Sequence, residues 1–214
     1  MHRRTALTVS AALLAAAPLL TACGSDAHPG AAAVVGGERI EVSSLQAQVK
    51  DVRAAQASSA QSAELLKATG DLGRQKLNSM IIDRIVEKVA QDNGVTATRA
   101  DIQQTRTAYT RENGGEERFE AILLQQRGVA PDQIDYFIRH EVLMLKIADK
   151  LGFTESAEGQ KKRTDVYSAA SKALAIDVNP RYGAWDSARG GLTAATTPWL
   201  RRASQDPAAV QAGA

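Results

Sequence analysis

The longest amphipathic stretch of the chain covers residues 131–151. Its apolar residues recur at the three- and four-residue spacing of a helix that buries one face. Leu143, Met144 and Ile147 widen that face, so the second half of the helix is predicted to be buried on more than one side. Pro131 suits the first helical turn, and Gly152 suits a left-handed end. The main stripe consists of Ile134, Phe137, Ile138, Val142, Leu145, Ala148 and Leu151.

A second long helix is predicted over residues 72–91, where the apolar residues Leu77, Ile81, Ile85 and Val89 lie four apart. The sequence Asn93-Gly94 is a typical stop signal after it. Residues 54–63 contain mostly Ala, Ser and Gln, which predicts a frayed helix or a loop. Four shorter helices are predicted to begin at Ser43 or Ser44, at the Thr98–Asp101 capping box, at Glu116 and after Thr154.

Short strands are predicted near both ends of this helical region. Two apolar runs flank Gly36-Gly37, which is typical of a β-hairpin. Residues 176–178 alternate in polarity and are followed by Asn179-Pro180. Because an unpaired strand edge is unfavourable, residues 176–178 are expected to pair with residues 34–35 or 40–42. The predicted fold class is therefore mainly α, a helical domain with a small β-hairpin completed by a C-terminal strand.

Composition supports a helical core and argues against nucleic acid as a partner. Hydrophobic residues make up 44% of the chain and aromatic residues only 4%, so the core must be aliphatic. The chain has 26 basic and 24 acidic residues, and the basic Arg3 and Arg4 lie in a segment predicted to be removed. The remaining charge is balanced, which gives no electrostatic footprint for nucleic acid.

The N-terminus has the features of an export signal. Arg3 and Arg4 precede an apolar stretch, residues 6–20, that is too short to span a bilayer comfortably. The following residues, Leu20-Thr21-Ala22-Cys23, resemble the lipobox of bacterial lipoproteins. The resemblance implies cleavage after Ala22 and acylation of the Cys23 sulfur, which would anchor the chain to the cell membrane outside the cytoplasm. The alternative is a plain secretory peptide with a chance cysteine, and the general secretory and twin-arginine routes are both left open.

Several motifs resemble those of a known family when their order is considered. Residues 34–40 (Val-Val-Gly-Gly-Glu-Arg-Ile) resemble the opening of SurA-type N-terminal chaperone domains and of the related PrsA-type lipoproteins. Residues 81–96 resemble the helix and turn that follow, and residues 128–132 resemble the start of the next long helix. The closing motif of such lipoproteins is similar to Asn179, Pro180, Arg181, Tyr182 and Gly183.

This resemblance implies an extracytoplasmic lipoprotein with chaperone-like binding of non-native polypeptides. Its expected partners are unfolded or exported polypeptides and the membrane, the latter through the Cys23 lipid. No catalysis is expected, because the segment after Leu151 is too short for a parvulin-type isomerase domain of about 100 residues. The alternative function is a structural or adaptor lipoprotein that uses the same scaffold to dock one cell-envelope partner.

Candidate chemical groups are few. His28 lies in the predicted tether, and His140 lies within a helix, where a satisfied or solvated side chain is expected rather than a ligand. No cofactor or metal site is predicted, and Cys23 is the only cysteine. Tyr182 and Trp185 follow the last strand; they are expected to cover the end of the helical core, and lining a binding groove is the alternative.

The predicted organisation therefore has four parts. Residues 1–22 form a lipoprotein signal peptide and residues 23–32 a tether. Residues 33–185 form the SurA N-terminal-like helical domain. Residues 186–214 form a disordered tail, because they lack apolar periodicity.

Overall fold

A computed structural model describes residues 29–194. Within this range the fold is mainly α, as predicted, with short antiparallel strands at both ends. The helices are α1 (Val42–Ser58), α2 (Ser62–Ala68), α3 (Leu72–Asp92), α4 (Arg99–Glu112), α5 (Glu116–Arg127), α6 (Ile134–Leu151) and α7 (Ala157–Ala173). The strands are β1 (Ala31–Val35), β2 (Glu38–Glu41), β3 (Asp177–Val178), β4 (Ala184–Asp186) and β5 (Gly191–Thr193), and short 3-10 turns cover Pro131–Gln133 and Pro180–Tyr182.

The predicted pairing between the N-terminal hairpin and the late strand is confirmed. Strand β1 is central, with β2 on one side and β3 on the other, and both pairings are antiparallel. Ala33 lies opposite Val178, and Val34 lies opposite Asp177. The hairpin turn uses Gly36 at φ +61°, and a Cβ there would come within 2.7 Å of Leu174 Cδ2. Glycine therefore satisfies both the backbone conformation and the close approach.

The boundary of the predicted tether is wrong by two residues. Strand β1 begins at Ala31, and the side chains of Ala31 and Ala32 are buried. A central strand has neighbours at both edges, and small side chains allow the adjoining helices α1 and α3 to approach it. The alanine-rich composition that suggested a tether is thus compatible with a covered strand.

The predicted tail also begins too early. Strands β4 and β5 form a second hairpin, in which Trp185 lies opposite Leu192. Leu192 is held against α3, because its N–H donates to Asn78 Oδ1 over 3.0 Å and its carbonyl accepts from Arg74 Nη2 over 2.8 Å. Polar residues of a distant helix supply these bonds, so the pattern within residues 186–194 could not indicate the strand.

Residues 54–63, predicted as a frayed helix or a loop, are mostly helical. Helix α1 continues to Ser58, and α2 begins at Ser62. Arg53 joins the two helices by donating to Thr69 Oγ1 over 2.7 Å and to the Thr69 carbonyl over 2.6 Å. The predicted serine cap is also wrong, because Glu41 is the N-cap residue of α1 and makes no side-chain capping bond.

Helix α6 lies between two apolar clusters, as its wide apolar face predicted. Leu143 and Ile147 belong to the main core with the central residues of α3. The opposite side, with Ile134, Ile138 and Val142, packs against Phe119, Leu123 and Val129. The second cover is therefore formed by α4, α5 and the loop after α5. The sequence favoured the N-terminal hairpin, which instead packs on α1 and α3.

One residue of the predicted α6 stripe points away from both clusters. Leu145 is 59% exposed, although its spacing placed it on the buried face. In the second half of α6 the buried side is the one that carries Leu143 and Ile147, and Leu145 lies on a different side of the helix. Leu145 therefore offers a control position on the same helix as the deepest core residues.

The start of α4 is fixed by the predicted capping box. Thr98 Oγ1 accepts from the Asp101 N–H over 3.2 Å, and Asp101 Oδ2 accepts from the Thr98 N–H over 2.7 Å. Asp101 also accepts from Lys146 Nζ of α6 over 2.6 Å. The bonds from Lys146 and Thr98 lower the pKa of Asp101 to about 2. The same carboxylate thus caps α4 and fastens it to α6.

Candidate functional site

The seam between α3 and α6 contains two concave surfaces of the described chain. The two helices run in the same direction, because Lys76 Nζ donates to Gln133 Oε1 near their starts and Asp83 contacts His140 further along. These contacts are 2.8 Å and 2.6 Å long. Two neighbouring cavities open along this seam, and Ile82 lines both of them.

The first cavity, called the polar cavity below, has a volume of about 410 Å³. Lys76 lies in its wall with only 8% of its surface exposed. Burial lowers the pKa of Lys76, and the carboxylates of Asp83, Asp132 and Asp51 partly oppose this shift. The polar cavity is lined by Gln48, Asp51, Lys76, Ser79, Ile82, Asp83, Arg127, Val129, Asp132, Gln133, Tyr136, Phe137, His140 and Glu141.

His140 joins α6 to α3 from within the polar cavity. Burial lowers the pKa of His140, but the contact with Asp83 and the surrounding carboxylates together raise it by more, so that the pKa lies above the usual value of 6.5. The neighbouring Glu141 and Glu87 act in the same direction. His140 Nδ1 lies 2.6 Å from Asp83 Oδ1, and this ion pair joins the two helices.

The second cavity, called the apolar groove below, has a volume of about 270 Å³. Its walls come from α3, α6, α7 and the turn between β4 and β5. Met144 and Tyr167 meet across it, with the Tyr167 hydroxyl 3.0 Å from the Met144 sulfur. Burial raises the pKa of Tyr167 to about 12, although the nearby Arg163 acts against the shift. The lining residues are Ile82, Ile85, Val86, Met144, Arg163, Thr164, Tyr167, Ser168, Ser171, Ser187, Ala188, Arg189 and Gly190.

Sequence reasoning found only part of the apolar groove. Met144 was recognised as an apolar residue outside the main stripe of its helix, and that excess is the signal in the sequence for the groove. Helix α7 is largely polar, and the β4–β5 turn fell in the predicted tail. Their contribution depends on tertiary packing, which local periodicity does not encode.

The predicted closing motif, residues 179–183, does not line the apolar groove. Asn179 binds the first strand, because its N–H donates to the Ala32 carbonyl over 3.0 Å and Nδ2 donates to the Ala31 carbonyl over 3.2 Å. Tyr182 is buried against the main core. Pro180, Arg181 and Gly183 form the 3-10 turn between β3 and β4 and its end.

Trp185 connects this closing segment to the groove wall. Its indole Nε1 donates to Ser171 Oγ over 2.8 Å, and Ser171 is one of the buried residues that line the apolar groove. Trp185 itself packs against the main core. The interpretation that Tyr182 and Trp185 cover the end of the helical core is therefore favoured over direct contact with a ligand.

The other predicted site residues cannot be placed. Cys23, Ala22 and His28 lie outside the described residues 29–194. Within that range, no cluster of three or more His, Cys, Asp or Glu side chains is arranged to hold a metal ion. None of the helices within residues 29–194 has the length and apolar character needed to cross a bilayer.

Comparison with protein families gives a match over most of the chain. The family model for the SurA-like N-terminal domain matches residues 2–148, more than half of the chain. The chain belongs to the SurA-like N-terminal domain family. No parvulin domain was found. Comparison with curated proteins gave no match, and comparison with solved structures gave none either.

The SurA-like N-terminal domain match covers part of the described fold. It includes β1, β2 and most of α6, and it therefore contains the α3–α6 seam. It ends before α7, although the resemblance in sequence was traced to residue 185. The α7 and β4–β5 walls of the apolar groove thus lie in the part of this chain that follows the family match.

Proposed function

We propose that this protein is an extracytoplasmic lipoprotein that binds non-native polypeptides in its apolar groove without chemical conversion. The apolar groove carries this proposal, because exposed apolar surface on a rigid scaffold suits weakly specific binding of unfolded chains. Membership of the SurA-like N-terminal domain family supports the same role. The proposed client contact is made by Ile82, Met144 and Tyr167, which give the groove its apolar floor.

The size of the groove fits reversible binding. A groove of about 270 Å³ has room for one or two aliphatic side chains of a client. Burying two such side chains contributes roughly 3–6 kcal/mol, and dissociation constants in the millimolar to micromolar range correspond to about 4–8 kcal/mol. A client would therefore leave again, as a folding helper requires.

We expect the chain beginning at Gly24 to suppress aggregation of an unfolded model protein, and Ile82→Glu to lose most of this effect. The substitution places a carboxylate on the wall shared by the apolar groove and the polar cavity. Leu66→Glu is the matched control, since Leu66 is an exposed apolar residue of α2 outside both cavities. Light scattering during refolding measures the effect.

Two checks make this result decisive. Ala188→Glu adds the same charge at an exposed position of the β4–β5 turn, and thermal melts confirm that each variant is folded. If the parent chain, Ile82→Glu and Ala188→Glu suppress aggregation equally, the apolar groove is not the client-binding site. No suppression by a folded parent chain would favour the adaptor alternative.

The anchor is proposed to be a lipid on Cys23. The support is the sequence Leu20-Thr21-Ala22-Cys23 after an apolar stretch. We expect the parent protein to remain in the membrane fraction and Cys23→Ser to be processed poorly or released, because the serine hydroxyl does not form the thioether to lipid. Fractionation with metabolic labelling by a palmitate analogue tests this. Full membrane retention and full labelling of Cys23→Ser would place the anchor elsewhere.

A further inference from the structure

The apolar groove has a positively charged rim. Arg163 of α7 and Arg189 of the β4–β5 turn line it, whereas no acidic side chain does. Arg163 contacts Glu155 over 3.0 Å, and Arg189 contacts Asp186 over 3.6 Å. The Glu155 side chain is 86% exposed and that of Arg189 is 83% exposed, so water screens both ion pairs. Exposed ion pairs of this kind are weak enough to exchange partners.

The charge changes sign on the other side of Ile82. The polar cavity is lined by the carboxylates of Asp51, Asp83, Asp132 and Glu141. Its basic groups are fewer, namely Lys76, Arg127 and His140, and His140 contacts Asp83. A carboxylate of a bound segment is therefore attracted to the apolar groove and repelled from the polar cavity.

We infer that the apolar groove prefers segments of non-native polypeptide in which an acidic residue stands beside apolar residues. The inference rests on the proposed function and specifies its client class. Apolar side chains enter between Ile82, Met144 and Tyr167, and the acidic side chain reaches Arg163 or Arg189. A guanidinium matches a carboxylate with two parallel hydrogen bonds, so this rim distinguishes an acidic residue from a basic one.

Charge complementarity also argues against one segment of this chain as the occupant of the apolar groove. The apolar pair Trp199-Leu200 follows β5 in the sequence, but it is directly followed by Arg201-Arg202. These arginines have the same sign as the rim of the apolar groove. A client segment with acidic residues fits the rim better than this part of the chain does.

The inference is tested with three short fluorescent peptides that share one apolar centre and differ in the flanking residues. The flanks are aspartate, serine or lysine, and fluorescence anisotropy with the chain beginning at Gly24 gives each affinity. We expect the aspartate peptide to bind about three- to tenfold more tightly than the serine peptide, the range for two exposed ion pairs. The lysine peptide should bind most weakly, and raising salt from about 50 to about 500 mM should reduce the differences.

The double variant Arg163→Gln/Arg189→Gln should lose the preference for the aspartate peptide over the serine peptide, because both guanidinium groups of the rim are removed. The matched control is Arg99→Gln/Arg111→Gln, which removes two exposed arginines of α4 outside the groove and changes the net charge equally. Loss of the preference in the control variant would attribute it to net charge and overturn the inference. Equal binding of all three peptides would also overturn it while leaving the proposed function intact, whereas no binding of any peptide would contradict the proposed function itself.

Discussion

Ending the chain after Leu174 should destabilise the domain more than ending it after any residue from 175 to 194. This change removes β3, exposes one edge of β1, and removes the buried side chains of Val178 and Tyr182. Partly buried residues of the β4–β5 hairpin are lost from the same core. The cost is about 4–8 kcal/mol at the usual scale for buried side chains, against a typical total stability of about 5–15 kcal/mol.

A truncation series measures this contribution. A chain that begins at Gly24 and ends after Ala194 keeps all described contacts, and we expect it to melt like the chain that ends at Ala214. A chain that ends after Arg189 loses β5 and the two hydrogen bonds of Leu192, in which its N–H donates to Asn78 and its carbonyl accepts from Arg74. This loss should cost about 1–3 kcal/mol. Equal stability of the chains ending after Leu174 and after Ala194 would show that β3 does not complete the fold.

The second large effect is expected from Ile147→Ala. Ile147 is fully buried between α6 and α3, so the substitution leaves a cavity and should lower the free energy of unfolding by about 2–5 kcal/mol. Leu145→Ala is the control on the same helix and should change stability by no more than about 0.5 kcal/mol. Urea unfolding with shared slopes compares the variants. Similar losses in the two variants would mean that Leu145 is covered.

The sequence predicted those parts of the fold that depend on local signals. The spacing of Ile81 and Ile85, the Thr98–Asp101 capping box and the Gly36 turn each have a direct physical counterpart in the structure. Even the pairing of β1 with β3 was predictable, because a two-residue strand next to Asn179 requires a partner. These elements fix the scaffold on which both cavities lie.

The missed parts depend on contacts between distant segments. Nothing within residues 186–194 indicates that Leu192 is bonded to Asn78 and Arg74. Likewise, the polar sequence of α1 does not indicate that Arg53 bonds to Thr69 and so joins α1 to α2. The α7 and β4–β5 walls of the apolar groove were missed for the same reason, since Tyr167 and Ala188 reach the groove only through tertiary packing. Leu145 shows the converse error, because a regular spacing cannot tell where the covered sector of a helix ends.

The measurement that tests polypeptide binding by the apolar groove most directly is site-specific crosslinking. A photoreactive residue is placed at Ala188 on the groove, at Leu145 on the exposed side of α6, or at Leu66 on α2. Each labelled chain is irradiated with an unfolded client and, separately, with the same client in its folded form. We expect strong crosslinking to the unfolded client from Ala188 alone, and competition by a short apolar peptide. Equal yields from the three positions, or the highest yield from Leu145, would contradict the groove as the binding site.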